Sequence, residues 1–174
     1  MKSNFNYVII IIIGLIIAGA SFASSILTEN INAGIWLDRG LWIGEIAGIF
    51  MLLLNGTFIK TKYFRVIKGI MALIMIGALL KILHWEFQFI TGNLILIVGF
   101  IGIMTTYFFS FLNKPIKKRL DYLKLAWVIT RYTVGVLIFL HIIHRDYQVI
   151  ASIIMWAAIF DYLIAEKKKG RLFE

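Results

Sequence analysis

Residues 90–112 read ITGNLILIVGFIGIMTTYFFSFL, a stretch without one charged side chain. A helix needs about 20 consecutive apolar residues to cross the hydrocarbon core of a bilayer, and this stretch supplies them. The run is continuous, whereas a barrel strand would alternate apolar and polar residues over about ten positions. In lipid every backbone amide must be paired within the protein, and a helix pairs its own. Working outward, five further stretches share this character: Tyr7–Leu27, Leu41–Ile59, Val66–Trp85, Leu125–Ile143 and Val149–Ala165. They predict an all-α integral membrane protein, a bundle of about six transmembrane helices, with the fourth span at Ile90–Leu112.

The composition agrees. Of the 174 residues 61% are hydrophobic and 16% charged, with one proline, against roughly half apolar in soluble domains. So short a chain has too little interior to hide that much apolar surface from water. The connections are short and carry no Ser- or Gly-rich linker, so residues 1–174 read as a single polytopic domain. Cysteine is absent, which excludes disulfides, thiolate metal sites and cysteine nucleophiles.

A formal net charge of +9 raises the question of nucleic acid, but the positions of the charges answer it. Basic residues cluster between the apolar runs, at 60–68, 114–124 and 167–171, which is the pattern of cytoplasmic loops and not of a nucleic-acid-binding face. Assigning alternate connections to alternate sides leaves only Arg39 and Arg145 among the outer loops, Glu29–Gly40, Glu86–Phe89 and His144–Gln148. Both termini are therefore expected in the cytoplasm. Trp36, Trp42 and Trp85 fall at the predicted outer boundary, where amphipathic rings settle. The expected partners are membrane lipids, whose anionic headgroups attract such loops by about 1 kcal/mol per basic residue, and partner subunits. Lys2, the apolar run Val8–Ile17 and Ala18-Gly19-Ala20 also fit a signal peptide. The apolar run continues through Phe22 and Ile26, which suits a retained helix better.

Ionisable groups inside a span cost a few kcal/mol and therefore pair or serve a function. Four stand out: Glu45, Lys81, Arg131 and Asp161. Glu45 and Lys81 each lie four residues, roughly 6 Å, from the predicted outer ends of their helices, which suggests an ion pair. Arg131 and Asp161 are expected about 9 and 6 Å from the cytoplasmic ends of the fifth and sixth spans, which suggests a second pair. The alternatives are snorkelling to the interface and a proton or ion pathway. His84, His141 and His144 gather at the outer side. With Glu45, Asp38 or Asp146 they offer metal ligands, and His84 with His141 offers an axial pair for haem. The competing reading makes them hydrogen-bonding caps, and no cofactor is expected.

Small residues mark close helix approach: Gly44 and Gly48 beside Glu45, Gly14 with Ala18, Gly99 with Gly102, and Gly77. They fit packing within the chain or against a partner subunit. Gly77-Ala78-Leu79-Leu80 before His84 parallels Gly135-Val136-Leu137-Ile138 before His141, as a duplicated two-helix unit would. No nucleophile elbow, phosphate-binding glycine loop or HExxH is present, so nothing points to an enzyme.

Gly77-Ala78-Leu79-Leu80-Lys81-Ile82-Leu83-His84-Trp85, then a short turn, a Gly-containing apolar helix and Phe111-Leu112-Asn113-Lys114-Pro115, resemble the membrane hairpin of GldL, the inner-membrane motor subunit of Bacteroidetes gliding and type IX secretion. The resemblance covers residues 68–115. It implies a bacterial inner-membrane location and a hairpin whose first helix runs outward, with Lys81 and His84 as its marked residues. That family has two membrane helices, a long cytoplasmic tail and a glutamate in its second helix. Here there are four further helices, a short tail, and no acid in Ile101–Thr106. The expected function is a non-enzymatic subunit or accessory of a membrane complex. The alternatives are a small transporter or ion-coupled carrier, and a haem- or metal-binding membrane redox protein.

Overall fold

A computed structural model of the chain describes residues 4–28, 32–84 and 91–169. Lys2, Trp85, the turn Glu86–Phe89 and Arg171 lie outside the described residues. Six helices account for most of the rest: α1 (Phe5–Thr28), α2 (Ala33–Leu54), α3 (Lys62–Ile82), α4 (Gly92–Leu112), α5 (Arg119–Phe139) and α6 (Gln148–Lys168). Short 3-10 turns at Phe58–Lys60 and Arg145–Tyr147 precede α3 and α6, and no strand occurs among the described residues. At about 1.5 Å per residue each helix is long enough to cross a hydrocarbon core.

Five of the six are also apolar enough to do so, α2 being the exception. The second span was expected to begin at Leu41, leaving Asp38 and Arg39 in an outer loop. Instead the helix starts at Ala33 and takes both charges in, because nothing between Ala33 and Leu41 breaks it and the Arg39 guanidinium settles over the Trp36 ring, 5.0 Å from its centroid. The fifth helix is shifted in the same direction along the sequence: it starts at Arg119, ahead of the expected Leu125, and ends at Phe139, so His141 and Ile143 follow it rather than lie in it.

The apolar faces have little of the chain to pack on. Only 6% of the apolar window of α3 is buried within the protein, and Ile16, Ile26, Ile82 and Ile153 are all exposed. Water is the wrong solvent for such surfaces and lipid the right one. The chain is a polytopic, all-α integral membrane protein.

The chain divides into two compact units. The first holds α1, α2 and the part of α6 from Met155 onward. Its helices meet at backbone distance: a Cβ on Gly14 would stand 2.6 Å from the Gly40 carbonyl oxygen, and one on Gly40 would stand 2.6 Å from that of Gly14. Only glycine permits that approach, which substitutes van der Waals and Cα–H···O contact for the hydrophobic drive that lipid cannot supply. Gly44 lies under the Trp156 indole and Gly48 under Ile159, so successive turns of α2 offer flat patches to α1 and then to α6. Ile11, Met51, Ala158 and Ile159 fill the interior. At one end the buried Asn4 donates to the Tyr162 hydroxyl at 3.2 Å, and Asn55 donates to the Asn4 side-chain oxygen at 2.6 Å.

The second unit holds α3, α4, α5 and the first turns of α6. The close-packing device recurs here: a Cβ on Gly92 would lie 2.6 Å from the Gly77 carbonyl oxygen and 2.8 Å from the Lys81 amide nitrogen. Gly99 receives Ile74, and Gly135 receives the Phe100 ring. Phe100 also packs on Tyr132 and Phe139, with centroids 5.3 and 5.5 Å apart, which ties α4 to α5.

Candidate functional site

The second unit gathers most of the residues that the sequence marks, at the end where α3 and α5 stop. A helix leaves its last carbonyls without partners, and the usual remedy is a left-handed residue, normally glycine, just past the end. Here both helices use histidine. His84 has φ 52° and His141 has φ 58°, and among the described residues these are the only non-glycine positive values. The His141 amide donates to the Ile138 carbonyl at 3.0 Å and the Ile142 amide to the Leu137 carbonyl at 2.9 Å, the two bonds of a Schellman cap. The His84 amide donates to the Lys81 carbonyl at 3.3 Å. The two segments paired by sequence, Gly77–His84 and Gly135–His141, thus end in the same conformation. In both, the backbone does the capping and the imidazole stays exposed.

Lys81 links the two ends. Its ammonium lies 4.7 Å from the centroid of the Phe139 ring, so the last turn of α3 touches the last turn of α5. The tight Gly77–Gly92 approach sets this up by drawing the first turn of α4 against Lys81. Thr91 starts α4 by accepting the Leu94 amide at 3.2 Å. The side-chain oxygen of Asn93 next to it is buried and has no hydrogen-bond partner.

Past His141 the chain turns into α6. His144 Nδ1 stands 2.8 Å from Asp146 Oδ2, both side chains being well exposed. Arg131 reaches toward this end, donating from Nη1 to Gln148 Oε1 at 3.1 Å. The fifth span was expected to start at Leu125, about 9 Å before Arg131, and the helix starts earlier. With α5 starting at Arg119, Arg131 stands about 18 Å from the start of the helix and about 12 Å from its finish. Glu45 moves in the same way: with α2 beginning at Ala33, it sits about 18 Å from one end and about 13 Å from the other, near the helix middle rather than one turn from a boundary.

Glu45 and Asp161 belong to the first unit and Lys81 and Arg131 to the second. Glu45 and Asp161 are half-buried, and neither is without a partner. Among the described residues no group of three or more histidine and carboxylate side chains is placed to hold a metal ion. Gly44, Gly48, Gly77 and Gly99 are all buried against neighbours in the same unit.

Sequence reasoning missed Phe139, Gln148 and Asn93 at this end, and Asn4, Asn55 and Tyr162 in the first unit. Gln148 had a signal, since it is the first uncharged polar residue to follow the His144–Asp146 cluster. Phe139 had none, because a phenylalanine in an apolar helix looks the same whether it faces lipid or a lysine.

No family model, no curated protein and no solved structure matches the chain.

Proposed function

We propose that the chain is a non-enzymatic subunit or accessory of a membrane complex, and that Lys81, His84 and His141 form the part of it that meets a partner. The observation that carries this reading is the pair of left-handed histidines. A left-handed residue with a Cβ costs about 1–2 kcal/mol, which glycine escapes. Backbone strain of this kind gathers at functional positions. Two exposed imidazoles held at a strained position beside the Lys81 ammonium make a polar, donor-rich surface at the end of three helices, suited to a carboxylate-bearing partner. The resemblance to the GldL hairpin supports the same reading, since residues 68–115 comprise most of α3 and all of α4. In this reading the basic clusters face the cytoplasm, both termini lie on that side, and the membrane is the bacterial inner membrane.

The test is purification of the full chain from native membranes in mild detergent. A stoichiometric protein partner, lost when Lys81 is changed to Met and His84 to Gly, supports the proposal. A lone monodisperse protein contradicts it.

A second reading has one observation in its favour. Glu45 and Arg131 each stand more than two turns inside a helix from either end, and an ionisable residue within a span pairs with another group or serves an ion or proton path. A small ion-coupled carrier would use them so. Uptake into vesicles that falls when either is neutralised would favour that reading over the first.

A further inference from the structure

We propose that the basic end of the second unit is a binding site for the headgroup of an anionic phospholipid, built where the start of α3 meets the α4–α5 connection. The site is independent of any protein partner and lies at the opposite end of the unit from Lys81.

Aromatic side chains bring the two segments together. Phe58 packs on Tyr107 and on Phe64, with centroids 5.1 and 5.8 Å apart. Asn113 donates to the Tyr63 hydroxyl, and Phe111 meets Tyr122 edge-on at 5.0 Å. This layer fixes six basic residues around one end: Lys60, Lys62 and Arg65 from the first segment, and Lys114, Lys117 and Lys118 from the second. Two of the ammonium groups lie on the aromatic layer itself, Lys62 over Tyr63 at 5.5 Å and Lys117 over Phe111 at 5.4 Å.

Counter-charge from these elements is nearly absent. Residues 57–84 and 91–124 contain one carboxylate, Asp121. It is already committed, accepting from Lys114 Nζ at 2.6 Å and from the Lys118 amide at 2.8 Å, which caps α5. The other basic residues at this end find no further carboxylate on these elements, and an external anion supplies the missing counter-charge.

The surroundings select the kind of anion. Immediately below the basic rim the surface is apolar, with Val66, Phe109 and Leu112 exposed. Within the rim, Ile116 stands 72% exposed between Lys114 and Lys117. A nucleic acid or an acidic peptide satisfies the charges alone and gains nothing from this wall. A phospholipid satisfies both, with its phosphate among the lysines and its chains along the wall.

The experiment uses the full chain in detergent with phosphatidylglycerol and phosphatidylcholine at equal concentration, reading retained lipid by native mass spectrometry. Wild type is expected to retain phosphatidylglycerol in preference. K62Q/K117Q/K118Q is expected to lose that preference by about a hundredfold, the sum of three basic contacts. K167Q/K168Q/K169Q removes the same charge elsewhere and is expected to change it less than about twofold. Equal retention of the two lipids by wild type overturns the proposal without recourse to any variant. So does an equal loss in both triple variants, which would mean bulk attraction, or displacement of the lipid by a poly-glutamate peptide, which would identify an acidic protein segment as the occupant.

Discussion

The ammonium of Lys81 lies 4.7 Å from the ring centroid of Phe139, and this contact joins the ends of two helices that are otherwise bridged by α4. A cation over an aromatic face is worth about 0.5–1 kcal/mol at exposed sites and more when desolvated. In a double-mutant cycle of K81M and F139L, thermal unfolding in detergent should show a coupling of about 0.5–1 kcal/mol. Strict additivity would mean that the ring and the ammonium do not act on each other.

The left-handed histidines predict an unusual ranking. His141→Gly relieves a steric cost and should leave stability equal or higher by about 1 kcal/mol. His141→Ile, with a branched Cβ at φ 58°, should lower it by about 1–2 kcal/mol. Melting temperatures of the two variants check the order, and the reverse order would refute the capping geometry.

Gly40 and Gly19 predict opposite outcomes for one substitution. Alanine at Gly40 places its Cβ 2.6 Å from the Gly14 carbonyl oxygen, whereas alanine at Gly19 meets nothing within 4 Å. Gly40→Ala should destabilise by about 1–3 kcal/mol, the usual cost of overpacking. Gly19→Ala should be neutral or slightly stabilising, since alanine is the better helix former. A chemical denaturation series in detergent separates them.

The polar cluster at the end of the first unit predicts a cost for breaking it from either side. Asn55→Leu removes the donor to the buried Asn4 oxygen and should cost about 1–3 kcal/mol. Tyr162→Phe, which removes the hydroxyl accepting from Asn4, should cost about 1 kcal/mol. Wild-type stability in both variants would show that water serves Asn4 equally well.

Much of the fold was legible because lipid simplifies the code. Length and apolarity alone place α1, α3, α4 and α6 to within a few residues. The two large boundary differences, at the starts of α2 and α5, arise where charged residues enter a helix: Asp38 and Arg39 in one, Arg119, Asp121 and Lys124 in the other. A rule that ends a span at the first charge ends the helix there too, yet backbone hydrogen bonding continues past the hydrocarbon edge. The site was half legible. Lys81 and the histidines stand out in a sequence this apolar, but a histidine does not announce a left-handed backbone, and the Gly77–Gly92 approach that draws α4 against Lys81 becomes apparent only once α3 and α4 are packed.

The central claim, that the Lys81, His84 and His141 end meets a protein partner, is tested most directly by site-specific photocrosslinking in native membranes from a photoreactive residue at position 142, beside His141 and exposed. A single discrete crosslinked protein, abolished by combining Lys81→Met with His84→Gly while the variant chain remains folded in the membrane, is the result expected. Crosslinks to lipid alone, unchanged in that variant, would contradict the account.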